Sequence, residues 1–202
     1  MKLKFWREQL QLANTWTIAR GSTNLFEVVL VELIAADGTS GVGEAAPIRR
    51  YHENPATVEE FFQRVDASRL SFTDVNGSMD YLATLSPGDM AAKCALNIAL
   101  LDGAGRVAGK PVYDLLGLGF RDQHHITSFS IGIDTPEMIH KKVLAAEQYP
   151  VLKLKVGVPD DHAILAALRR AAPTKAVRVD ANEGWKTKEE ALERIQWLAS
   201  DG

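Results

Sequence analysis

Two short runs of this sequence place groups that could move a proton. The first is VLKLKV at positions 151–156, where Lys153 and Lys155 are separated by a single leucine. Side chains on a β-strand alternate between faces, so the two lysines share one face while Leu152, Leu154 and Val156 share the other. Two ammonium groups on one face of a covered strand disfavour each other's charge. If that face is the interior of a barrel near its C-terminal mouth, one of the two is expected to give up its proton more easily, and a lysine so placed can be a general base near neutral pH. The second run is AVRVD at 176–180, in which Arg178 and Asp180 share a face and Asp180 comes last. An inward carboxylate at the C-terminal end of a barrel strand is a usual place for a catalytic or metal-binding group. Each run also has a plainer reading. An isolated Lys-x-Lys is compatible with an edge strand whose lysines sit in water, and Asp-Ala-Asn with a turn or a helix cap. One carboxylate is not a magnesium site, because Mg²⁺ requires a near-octahedral set of oxygens.

The elements around these runs decide between the readings. From position 126 onward the pattern alternates strand and helix: strands at 126–133, 151–156 and 176–180, helices at 136–148, 160–172 and 186–199. Three βα units in succession imply a parallel sheet, covered on both faces, where solvated lysines fit poorly. A (β/α)₈ barrel or a doubly wound sheet would both accommodate them. A barrel needs about eight units and roughly 250 residues, so this chain reads as truncated, with the chain closing at Asp201-Gly202. The first hundred residues follow another pattern. A β-branched run at 26–36, a turn at Asp37-Gly38 and a short strand at 41–44 form an antiparallel meander, followed by helices at 55–70 and 74–85. Ser86-Pro87 introduces a longer helix. On it Met90, Ala91, Cys94, Ala95, Ile98, Leu101 and Ala104 recur at three- and four-residue steps, predicting one buried stripe and a core thiol at Cys94.

Bulk properties exclude several classes. With 202 residues, 46% of them apolar, the chain can build a packed core, and a net charge of −3 gives no field that gathers nucleic acid or anionic lipid. One cysteine rules out an internal disulfide or a cysteine-rich metal centre. The N-terminus mixes lysines, glutamines and single apolar residues without the unbroken run of a signal peptide, and no window reaches membrane-spanning length. The expectation is a cytoplasmic enzyme with a small-molecule substrate, compatible with a homo-oligomer.

Lys153-Leu154-Lys155-Val156-Gly157, followed by Val179-Asp180-Ala181-Asn182-Glu183-Gly184-Trp185, resembles the muconate-lactonizing subgroup of the enolase superfamily. Within it the dipeptide epimerases are the nearest likeness. The N-terminal half is similar too: Gly41-Val42-Gly43-Glu44-Ala45-Ala46-Pro47 resembles a strand of that family's capping domain, and Ala99 to Gly105 its long helix. The resemblance implies an α+β capping domain over 1–122 and the first βα units of a (β/α) TIM-type barrel over 123–202. It implies that Lys155 removes the proton beside a carboxylate, that Lys153 holds and neutralises that carboxylate, and that Asp180 is the first of three acidic Mg²⁺ ligands. The scheme known for the superfamily is a lysine base with Mg²⁺ stabilising an enediolate. Arg20 resembles the arginine that pairs with the acidic side chain of an Ala-Glu dipeptide, and Ser130 a hydroxyl near the substrate, with Tyr51 and His52 in a neighbouring loop. Epimerisation also requires a second acid/base across the carbon, which the resemblance assigns to later strands. The alternatives are a muconate cycloisomerase, an o-succinylbenzoate synthase, or a noncatalytic fragment acting as a binding module.

Overall fold

The computed structural model describes residues 1–121 and 125–201. Its contacts divide the chain into two compact units, Met1–Gln11 with Leu25–Phe120, and Leu12–Asn24 with Arg121–Gly202. The expected boundary between residues 122 and 123, and the helix stop at Gly202, lie outside the described residues.

The N-terminus departs most from the sequence reading. Lys2–Ile18 is one long strand, β1, joined by a tight turn at Ala19 and Arg20 to β2, Gly21–Ile34. Leu3 and Phe5 pack against the first core while Lys2, Lys4 and Trp6 face outward. The scattered apolar residues are therefore the period-two pattern of a half-covered strand. Strand β2 pairs antiparallel with β3, Ser40–Ala45, in the register Val29↔Ala45 through Ile34↔Ser40.

Helix α1, Pro55–Arg64, opens on a reciprocal cap in which the Asn54 side chain accepts from the Thr57 backbone and the Thr57 hydroxyl from that of Asn54. It stops short of the expected residue 70. Val65 turns extended, and the Asp66 carboxylate accepts from Ser68 N at 3.0 Å to start a separate 3₁₀ turn, Ala67–Arg69. Aspartate offers the backbone that local alternative to the helix. Helices α2, Val75–Leu85, α3, Met90–Ala108, and α4, Val112–Leu115, complete the unit.

The buried face of α3 keeps Ala95 and Ala104 of the expected stripe but is rotated away from the rest of it. Met90, at 63% exposure, together with Cys94 and Ile98, lies on the outside, so Cys94 is an exposed thiol. Inward are Ala92, Lys93, Ala95, Leu96, Ala99, Leu100, Gly103 and Ala104. The reason is close backbone packing against β3. A Cβ on Gly41 would stand 2.0 Å from Ala99 O, and one on Gly43 1.9 Å from Ala95 O. Only the small-residue face of α3 can approach a glycine strand so closely. The Asp102 carboxylate then accepts from Val42 N at 2.9 Å and fixes the register. Lys93, drawn inside with this face, donates to Ser86 O and lies 5.8 Å from the centre of the Phe61 ring.

In the second unit, β4, Ser128–Ile131, α5, Pro136–Ala145, β5, Val151–Lys155, α6, Asp161–Ala171, β6, Ala176–Asp180, and α7, Lys188–Asp201, follow in order. The strands pair in parallel as β4-β5-β6, a partial barrel of three strands. Leu152 and Leu154 are fully buried in a core with Ile139, Val143, Ile164 and Leu168, which accounts for the covering of one sheet face by helices. Among the described residues, no helix is long and apolar enough to cross a membrane.

Candidate active site

Parallel pairing sets the site. Register partners on adjacent strands point to the same side, and the ladder matches Ser130 with Lys153, Lys153 with Arg178, and Lys155 with Asp180. Hydrophobic Leu152 and Leu154 claim the helix-covered face, so the lysines are forced to the other. Both ammonium groups then meet one oxygen. Lys153 Nζ lies 2.9 Å and Lys155 Nζ 2.8 Å from Asp180 Oδ2. The other oxygen, Oδ1, accepts from Asn182 N at 2.9 Å. The Lys155 side chain is 9% exposed, against 35% for Lys153 and 29% for Asp180, so the site is graded from a covered amine to an open one. Hydrogen bonds from Lys155 and then Lys153 hold the Asp180 carboxyl well below the usual carboxylate range, against the burial that would raise it. The like-charge crowding anticipated from the sequence is thus bridged by an anion between the two amines.

The end of the β1–β2 hairpin belongs to the same unit and touches the loop after each strand. Beyond β4, Ile133 N donates to Thr17 O at 2.9 Å, and a Cβ on Gly132 would stand 3.4 Å from Trp16 Cε3. Beyond β5, a Cβ on Gly157 would stand 3.2 Å from Ala19 Cβ. Beyond β6, Arg20 Nη1 lies 3.4 Å from Glu183 Oε1. The Trp16 ring centre is 5.9 Å from Lys155 Nζ, within the range of a cation–π contact. Neither Trp16 nor Glu183 has a site role legible in the residue order. Their role depends on the hairpin folding onto strands more than a hundred residues away, for which no local pattern exists.

Among the expected residues, Lys153, Lys155 and Asp180 converge, and Ser130 sits beside Lys153 in register. Arg20 is engaged with Glu183. Tyr51 and His52 belong to the other unit, where His52 adopts a left-handed φ of 60° at the end of a short turn. For a hard divalent cation the donor type is suitable and the number is not. Asp180 offers carboxylate oxygen, and Asn182 Oδ1 is buried without a hydrogen bond from the described residues. No group of three or more His, Cys, Asp or Glu residues that could hold a metal occurs among the described residues. Six oxygens are not assembled here.

Residues 2–117 match the mandelate racemase / muconate lactonizing enzyme N-terminal domain, and residues 138–202 match the enolase C-terminal domain-like family. The chain belongs to the mandelate racemase / muconate lactonizing enzyme family. Within that family it is 62% identical over 204 residues to an L-Ala-D/L-amino acid epimerase of Pedosphaera parvula (strain Ellin514), covering 100% of this chain and 59% of that protein. It is 34% identical to an L-Ala-D/L-Glu epimerase of Bacteroides thetaiotaomicron, covering 100% of this chain and 52% of that one. In structure it is similar to a dipeptide epimerase from Cytophaga hutchinsonii complexed with Mg and the dipeptide D-Ala-L-Val. That likeness has a TM-score of 0.89 at 27% identity, with 99% of this chain and 56% of that chain covered. The chain therefore spans between half and three fifths of the length of these family members. They are isomerases acting on amino-acid derivatives.

Proposed function

We propose that the protein to which these residues belong epimerises a dipeptide, with Lys155 removing the proton α to a carboxylate. The observation that carries this reading is the shared Asp180 oxygen, 2.8 Å from Lys155 and 2.9 Å from Lys153, at the ends of adjacent parallel strands. The covered Lys155 is the base, shielded on one side by Trp16. The more open Lys153 holds the substrate carboxylate and neutralises it. Asp180 keeps both long side chains extended toward one point, which removes rotamer freedom before substrate arrives. Ser130, next to Lys153 in the sheet, is a hydroxyl donor for the same substrate group.

A carbon-bound proton beside a carboxylate is weakly acidic because its loss puts a second negative charge on the carboxylate oxygens as an enediolate. Fixed positive charge is what stabilises that species. Mg²⁺, present in the Cytophaga hutchinsonii relative, would supply it, with Asp180 as the ligand contributed by these residues and the remaining ligands outside them. The acid/base on the opposite side of the carbon likewise lies outside them.

The substrate class is an L-Ala-initiated dipeptide. For its second residue, a glutamate would require Arg20 to leave Glu183, 3.4 Å away, whereas a neutral side chain would not. The name of the Pedosphaera parvula relative, an L-Ala-D/L-amino acid epimerase, supports the broader choice. The test is exchange of the dipeptide α-proton in D₂O by the full-length protein with Mg²⁺, followed by NMR on L-Ala-L-Glu and L-Ala-L-Leu. Exchange that disappears in Lys155→Met is expected. Absence of exchange on any dipeptide, with turnover of a muconate or a succinylbenzoate precursor instead, would move the protein to another branch of the family.

A further inference from the structure

Asp161 is the first residue of α6, and its side chain is 0% exposed. Burying a carboxylate is costly unless its oxygens are fully hydrogen-bonded, so such a residue calls for an account of what it holds. It does not cap its own helix in the ordinary way. Its Oδ1 turns back to accept from Gly157 N at 2.9 Å and Val158 N at 3.0 Å, while Oδ2 accepts from Gly157 N at 3.1 Å and Trp185 Nε1 at 3.4 Å. Gly157 stands two residues beyond Lys155, and Trp185 five beyond Asp180. One buried anion therefore gathers donors from the loops that follow both site strands.

Those loops have no slack. Gly157 has φ +104°, and a Cβ there would stand 2.5 Å from Ala181 O. One on Gly184 would stand 2.4 Å from Gly157 O. Val156 N donates to Asp180 O at 3.1 Å, continuing the ladder into the loop. A shift of the Gly157 peptide is thus transmitted to the backbone that carries Lys155 on one side and Asp180 on the other.

We propose that Asp161 is a positioning residue that sets the separation of Lys155 and Asp180 through the β5 and β6 loops. The proposal rests on the reading of Lys155 as the base. Asparagine at 161 keeps the shape but replaces one acceptor with an NH₂ facing N–H donors, so one of the loops must move.

The experiment uses the full-length protein with Mg²⁺ and L-Ala-L-Leu, reading kcat and KM for α-proton exchange, together with crystal structures. A misplacement near 1 Å costs about 100-fold in rate, so Asp161→Asn is expected to lower kcat on the order of 100-fold. KM should stay within about threefold, and the Lys155–Asp180 separation should be longer in the variant than in the wild-type crystal prepared the same way. Trp185→Phe, which removes the indole donor and keeps an aromatic ring against the second core, is expected to lower kcat by roughly tenfold and to add little in the Asp161→Asn background. Wild-type kcat in both variants overturns the proposal. So does an equal kcat loss in Ile164→Ala, a core change elsewhere on α6, at matched stability. If the wild-type protein exchanges no dipeptide proton, the epimerase reading fails by itself, and the crystal contact decides Asp161. Lengthening in the variant supports the positioning role, and an unchanged contact overturns it.

Discussion

Replacing Asp180 by asparagine removes one charge and leaves two. The Asn182 N–H keeps an acceptor at Oδ1, so the perturbation falls on Oδ2 and the two ammonium groups that meet it at 2.8 and 2.9 Å. Breaking one partner out of a fully buried pair costs about 3–5 kcal/mol, whereas a surface pair is worth about 0.2–1 kcal/mol. With Lys155 9% exposed and Lys153 35%, this site lies between those limits. The expected destabilisation is about 2 kcal/mol at pH 7. The pH dependence has a definite sign. Asp180 is held below the ordinary carboxylate range in the folded protein by Lys155 and Lys153. Its contribution is therefore complete above an unfolded-state pKa of about 4 and is lost as pH falls through the lower folded value. Urea unfolding of the full-length protein and of Asp180→Asn should give a gap that is constant from pH 7 to 5 and narrows below about pH 4. In a double-mutant cycle with Lys155→Met the coupling should exceed about 1 kcal/mol. Equal stability of the two proteins at pH 7, or a gap that ignores pH, would refute the shared-oxygen geometry as an energetic unit.

Gly43→Ala should destabilise the protein by about 1–3 kcal/mol in denaturant unfolding, because its Cβ would meet Ala95 O at 1.9 Å and two backbones would have to part. Arg20→Met should leave stability within about 1 kcal/mol, since both partners of its ion pair are well exposed, while raising KM for L-Ala-L-Glu more than for L-Ala-L-Leu in steady-state exchange assays. Cys94 should react with a thiol reagent in the native protein at a rate unaffected by sub-denaturing urea; protection until unfolding would place it inside after all.

What could be read from residue order was what depends on local period. Alternation along VLKLKV put Lys153 and Lys155 on one face whatever the sheet did next, and AVRVD ended on Asp180 for the same reason. The βα sequence of the second half was legible because strands and helices impose different periods on apolar residues. Period failed where a segment offered two acceptable faces. Helix α3 carries small and apolar residues on more than one face, so a stripe that joins Met90, Cys94 and Ile98 to Ala95 and Ala104 fits the helical period as well as the one through Ala92, Ala95, Ala99 and Gly103. The glycines of β3, by admitting helix backbone at contact distance, turn the helix so that Ala95 and Ala104 stay inside while Met90, Cys94 and Ile98 face out. The same limit applies at the site. That both amines meet a single oxygen, that Trp16 comes to lie beside Lys155, and that Asp161 collects N–H groups from two loops are relations between segments far apart in the chain. They were decided by strand register and loop packing, which act through space and leave no periodic trace along the sequence.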